Sequence, residues 1–184
     1  MPSALAHAAP ALALYPLFRA HTPPRLWLLG VACAMAPDLD VLAFRFGIPY
    51  EDPLGHRGLS HSIPFAALFA ALLTLAIFAR PRRDAAVSRL ATWAYLFLAT
   101  ASHGLLDTLT NGGLGVALLA PFDNHRFFAP FRPIEVSPLG LGAFFSARGV
   151  DVMLSELVWV WAPCALLWWV CLQLRRGLLP VSRV

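Results

Sequence analysis

Trp93-Ala-Tyr-Leu-Phe-Leu-Ala-Thr-Ala-Ser-His-Gly-Leu-Leu-Asp-Thr-Leu-Thr-Asn-Gly-Gly113 is the run on which the reading of this chain turns. It starts as an apolar segment and acquires His103 and Asp107 before Asn111-Gly-Gly113 breaks it. Residues four apart lie one above the other on a helix, so this imidazole and this carboxylate share a face. Inside an apolar segment both are costly unless something pairs with them. A divalent metal ion would satisfy both.

The surrounding composition fits a membrane-embedded helix. Of 184 residues, 59% are hydrophobic and only 13% charged, against about 25% charged in ordinary soluble domains. Mean hydropathy is +0.67. These values imply an all-α integral membrane protein with residues 1–184 in a single multi-pass domain. The sequence pI is near 9.5, yet the fourteen basic residues are all arginines, scattered at the ends of apolar runs. That pattern marks membrane topology rather than a phosphate-tracking surface, so nucleic acid is not an expected partner. Cys33, Cys164 and Cys171 lie in apolar runs without C-x-x-C spacing and read as small buried hydrophobes. No Lys or Arg precedes the first apolar run, so no removable signal peptide is expected.

Outward from the central run, apolar stretches predict about five transmembrane helices (four to six). The first, Ser3 to Phe18, is short and holds Pro10 and Pro16, so it is either a tilted, kinked crossing or a partly inserted one. The second runs from about Leu26 to Phe46, interrupted at Met35-Ala-Pro-Asp-Leu-Asp-Val41. A polar loop, Gly47 to Gly58, ends in His56-Arg-Gly-Leu-Ser-His-Ser62, and Ile63 to Ala79 makes the third. Arg80-Pro-Arg-Arg-Asp84 reads as a cytoplasmic loop. The fourth helix covers about Ser88 to Thr110 and the last about Val150 to Leu174. Between them, Pro121 to Pro138 alternates Phe122, Phe127, Phe128 and Phe131 with Arg126 and Arg132, an interfacial aromatic segment at headgroup level.

With five crossings and the Arg80 to Arg89 loop inside, the cytoplasmic side collects Arg19, Arg25, Arg80, Arg82, Arg83, Arg89, Arg175, Arg176 and Arg183. The other side holds Arg45, Arg57, Arg126, Arg132 and Arg148, in agreement with the positive-inside rule. His7, Asp38, Asp40, His56, His61, His103, Asp107 and Glu156 then all fall at the non-cytoplasmic end of the bundle.

Each cluster has a chemical and a plain reading. Asp38 and Asp40 point to nearly opposite faces of a regular α-helix, so both aim inward only where Pro37 loosens it. One would then ligate metal while the other orients a histidine; alternatively, both form a turn or cap at a helix end. His56 and His61, five apart, can converge on a loop flexed at Gly58, with Ser60 or Ser62 capping the next helix. Arg57 is either a fixed cation for a phosphate oxygen or oxyanion, or an interfacial anchor. His103-x-x-x-Asp107 is the most specific signal; a pair satisfied by neighbouring helices is the alternative. His21 and His125 read as structural or interfacial, and Asp151 and Glu156 as either fifth-helix contributors or surface residues. A His/Asp donor set favours zinc or manganese, one or two ions. A spare carboxylate, Asp38 or Asp40, could act as general base.

An N-terminal His, Pro37-Asp-Leu-Asp40, His56-Arg-Gly-Leu-Ser-His-Ser62 and His103-x-x-x-Asp107, followed by an Arg/Phe/Pro-rich segment, resemble the bacterial inner-membrane metal-dependent hydrolases described as LexA-regulated or LexA-binding. The likeness spans about His7 to Ile134. It implies a multi-pass inner-membrane hydrolase whose metal is held by His56, His61, His103, Asp107, Asp38 and Asp40, with His7. The ligand order is also distantly similar to that of zinc-dependent phospholipase C. That family continues with a further His and a His-x-x-x-Glu, whereas here Val152 stands four residues before Glu156, so a three-metal cluster is not expected.

The resulting expectation is a metal-dependent hydrolase of an ester or phosphoester bond, with a membrane lipid as substrate, Asp38, Asp40 and Arg57 as catalytic groups and the site near the outer face. Two rivals stand beside it. A metal or small-ion transporter would hold its ion nearer the midplane, between repeated halves; a non-catalytic membrane scaffold would use its His/Asp groups only to pair helices.

Overall fold

A computed structural model describes residues 1–79, 86–138 and 145–178. Arg80, Arg82 and Arg83 of the expected cytoplasmic loop, and Arg183, lie outside the described residues. The described residues are helical, joined by turns and isolated bridges, with no strand among them.

Helix α1, Ala4–Phe18, sits at the middle of the bundle. Its alanines 6, 8, 9, 11 and 13 are buried, and such small side chains let neighbouring backbones approach closely. Helix α2, Leu26–Met35, continues into a 3-10 stretch, Ala36–Phe46. Helix α3, Ile63–Ile77, starts at Ser62, whose hydroxyl accepts from the Phe65 N–H at 3.1 Å. Helix α4, Arg89–Thr108, is capped in the same way by Ser88. Helix α5, Ala147–Glu156, runs through a π-turn at Leu157–Trp161 into α6, Ala162–Leu178. The last rod is therefore longer at both ends than its apolar run indicates.

Helix α1 packs against α2, α4 and α6, and α4 also packs against α2 and α3. The cluster of Leu26, Cys33, Ala70, Tyr95 and Leu96 fills the end away from the histidines. There the Tyr95 hydroxyl donates to the Ala11 carbonyl at 3.1 Å. The outside is apolar: Leu28, Leu68, Leu75, Leu90, Leu166 and Trp169 are each more than half exposed. The inside instead holds His7, Arg57, His61, His103, Asp107 and Glu156. This arrangement suits a hydrocarbon solvent.

Two helical stretches are long and apolar enough to cross a bilayer, Leu26–Phe46 with 21 residues and Ala147–Gly177 with 31. Helices α1 and α3 have 15 residues each, about 22 Å of rise against a hydrocarbon core of about 30 Å. The expected aromatic segment is a hydrogen-bonded strap folded back over the His56–His61 loop. Val116 exchanges backbone bonds with Phe127, the Ala117 N–H donates to Arg57 O, and the Ala129 N–H donates to Thr108 O.

Candidate metal centre

Pro37 opens the 3-10 stretch and sets its geometry. At 3.6 residues per turn, Asp38 and Asp40 would sit about 160° apart; at three per turn they sit about 120° apart. Both therefore reach the inside of the bundle, as the loosening at Pro37 predicts. Runs of 3-10 helix longer than about four residues are uncommon, and this one has eleven.

Asp38, His61, His103 and Asp107 offer ligand atoms that all lie within 4.8 Å of one another. Asp38 Oδ1 is 3.2 Å from His103 Nε2 and 3.7 Å from His61 Nε2. Asp107 Oδ2 is 3.3 Å from His61 Nε2 and 3.9 Å from His103 Nε2. His7 joins them, stacked on His103 with ring centroids 3.6 Å apart and an interplanar angle of 11°. Its Nε2 stands 3.7 Å from Asp107 Oδ1 and 4.0 Å from Asp38 Oδ2.

The hydrogen bonds assign the tautomer of His103. Its Nδ1 lies 2.7 Å from the Ala34 carbonyl; a carbonyl only accepts, so Nδ1 carries the proton and Nε2 presents a lone pair inward. His61 directs Nδ1 to Asp40 Oδ2 at 3.0 Å and Nε2 inward, 3.0 Å from His103 Nε2. Burial by itself would lower the His61 pKa; the carboxylates of Asp107, Asp38 and Asp40 raise it instead, to about 10. The pocket favours positive charge at that point.

Asp40 forms a second hub. Its oxygens accept from His56 Nδ1 at 2.6 Å, the Arg57 N–H at 3.2 Å and the Ser60 hydroxyl at 2.7 Å, in addition to His61. Asp40, His56 and His61 also satisfy ligand-like proximity as a second group that shares His61 with the first. Ser62 caps α3 while Ser60 serves Asp40, so the two serines divide the roles left open between them.

Arg57 is completely buried. Its Nε lies 3.1 Å from Asp107 Oδ2, Nη1 donates to Gly112 O at 2.9 Å, and Nη2 donates to Thr110 Oγ1 at 3.0 Å. The structure places the guanidinium as the counter-ion of Asp107. The loop bends at Arg57, with φ of +62°, and at Gly58, whose φ of −87° and ψ of −132° lie outside the helical and extended regions. At Arg57 a non-glycine residue costs about 1–2 kcal/mol. Gly104 matters differently: a Cβ there would stand 2.2 Å from His61 O, so the glycine admits the His61 backbone against α4.

The remaining candidates lie elsewhere. Glu156 is buried at the start of α1, where it accepts from the Ser3 N–H and hydroxyl. Asp151, His21 and His125 are exposed, and the three cysteines are free. Sequence reasoning missed Thr110, Gly112 and the Ala34 carbonyl, whose roles depend on a fold that brings distant segments together. It also missed Arg126, which donates to the carbonyls of His56 and Tyr50 at 3.1 and 3.0 Å and ties the strap to the histidine loop.

The centre also passes a chemical test for a cation. Both oxygens of Asp38, both of Asp107 and both ring nitrogens of His7 are buried without a hydrogen-bond partner among the described residues. Buried polar atoms are nearly always satisfied, and mixed imidazole and carboxylate donors suit zinc or manganese.

A family model described as YdjM inner membrane protein matches residues 1–178. The chain belongs to the YdjM inner membrane protein family. Inner membrane protein YbcI of Escherichia coli strain K12 is 41% identical over 174 residues, covering 92% of this chain and 98% of YbcI. No solved structure matches. Membership in the YdjM family establishes an inner membrane protein, as composition and the resemblance lead one to expect. Neither name states an activity.

Proposed function

We propose that this YdjM-family protein is a metal-dependent hydrolase of ester or phosphoester bonds. In this reading it crosses the bacterial inner membrane five times and opens its site near the non-cytoplasmic face toward lipid headgroups. The observation that carries the proposal is the set of buried atoms on His7 and Asp38 without hydrogen-bond partners, converging with Asp107 and the inward Nε2 atoms of His61 and His103.

Asp38, His61, His103 and Asp107, with His7, would hold zinc or manganese; Asp40, His56 and His61 would take a second ion only by exchanging their mutual hydrogen bonds for it. When bound, such an ion polarises the scissile oxygen and acidifies water. The chain supplies the rest. Asp40 and the Ala34 carbonyl fix the orientation of His61 and His103, as outer partners of metal ligands do. Arg57 pairs with Asp107 and holds its carboxylate in place. Asp38 offers two oxygens, so one would bind the ion while the other takes a proton from water beside it.

The test is metal content by mass spectrometry on detergent-purified wild type and His103→Ala, prepared in parallel and checked for folding. Near-stoichiometric zinc or manganese in the wild type and its loss in the variant, with wild-type turnover of phospholipid or acyl esters, is the expected result. Equal and negligible metal in two folded proteins would replace this reading with the helix-pairing scaffold.

A further inference from the structure

A groove of about 700 Å³ runs along the outer face of α2, walled on its far side by Phe69 and Leu73 of α3. Leu28, Ala32 and Met35 line its length, and Asp38 is the one charged side chain among its described lining residues. The groove is therefore apolar along its course and polar at the end that meets the metal centre. From Leu28 through Met35 to Leu39 the rise is roughly 18 Å. One leaflet's share of the hydrocarbon core is about 15 Å. Ala32 is exposed, so the groove is open sideways to whatever surrounds the helices, which in an inner membrane protein is lipid.

We infer that this groove seats one acyl chain of a bilayer phospholipid and brings that lipid's headgroup to Asp38. Seating the chain requires only the groove; cleavage of the headgroup rests on the hydrolase reading above. An apolar slot of one leaflet's depth that ends at the polar His/Asp centre matches an amphiphile, and lateral entry lets the lipid reach a buried centre without leaving the membrane.

The test uses full-length protein reconstituted in nanodiscs of phosphatidylethanolamine and phosphatidylglycerol, then washed in detergent, with retained phospholipid counted by native mass spectrometry. Ala32→Trp fills the groove; Leu68→Trp adds the same side chain at an exposed position of α3 outside it. Wild type and Leu68→Trp are expected to keep close to one phospholipid per chain, and Ala32→Trp about tenfold less, with metal content unchanged. Should Ala32→Trp fail to fold, Ala32→Phe, a smaller filler, is read in the same way. Equal retention in all three proteins, or none in any, overturns the groove. Loss in Ala32→Trp from a protein that binds no metal and cleaves no ester supports the groove and removes the hydrolase. Equal retention in a metal-loaded, hydrolytic protein does the reverse.

Discussion

Asp38 and Asp40 stand on the same 3-10 stretch, yet their surroundings are opposite. Asp40 is saturated with donors from His56, Arg57, Ser60 and His61. Asp38 has none within hydrogen-bond geometry, although both its oxygens are buried. A carboxylate wrapped in donors is a structural and orienting group; one left bare beside three imidazoles is suited to a cation. A similar division holds between Arg57, whose Nη1 and Nη2 donate to Gly112 O and Thr110 Oγ1 while Nε faces Asp107, and His7, whose ring nitrogens have no hydrogen-bond partner among the described residues. The site is thus a satisfied frame around an unsatisfied centre.

Substitutions can break that division, and the largest effect belongs to the bare carboxylate. Asp38→Asn is expected to lower metal affinity by about 100-fold or more in equilibrium dialysis, while metal-free stability falls by no more than about 2 kcal/mol, the loss of its charge beside His61. A large fall in metal-free stability would show that Asp38 belongs to the frame. Arg57→Ala should destabilise the metal-free protein by about 3–5 kcal/mol in denaturant melts, since Asp107 becomes a buried charge without its partner. Arg57→Lys should rescue little, because one ammonium cannot reach Asp107, Gly112 and Thr110 in the fixed geometry of a guanidinium.

Smaller effects sharpen the contrast. Asp40→Asn should reduce metal affinity by about 10–100-fold and also cost about 1–3 kcal/mol of stability, the double signature of an orienting group. Gly104→Ala should cost about 1–3 kcal/mol and weaken metal binding, because the added Cβ pushes on the His61 carbonyl. At the bottom of the scale, His125→Ala should leave metal content unchanged and alter stability by less than about 0.5 kcal/mol. A metal loss in that variant would move the centre toward the strap.

How much of this was legible in the chain depended on the range of the interaction. Composition and apolar run length determined a helical membrane protein, because burying backbone in hydrocarbon leaves few other options. The i, i+4 spacing of His103 and Asp107 fixed their shared face by helix geometry alone. Positions such as Asp38, His61 and His103 were readable as candidates because polar groups in apolar runs are costly wherever the run folds. What the sequence left open was decided by packing. Asp38 differs from Asp40 because a 3-10 stretch turns each toward different neighbours, and no local propensity says which one meets Ser60 and His56. His7 enters the centre only because an alanine-rich α1 lies in the middle of the bundle, close enough for its ring to stack on His103. Arg57 becomes the partner of Asp107 because the strap after α4 brings Thr110 and Gly112 to its other nitrogens. Donors 50 or more residues apart in sequence meet through tertiary structure, and their partners are a property of the assembled bundle.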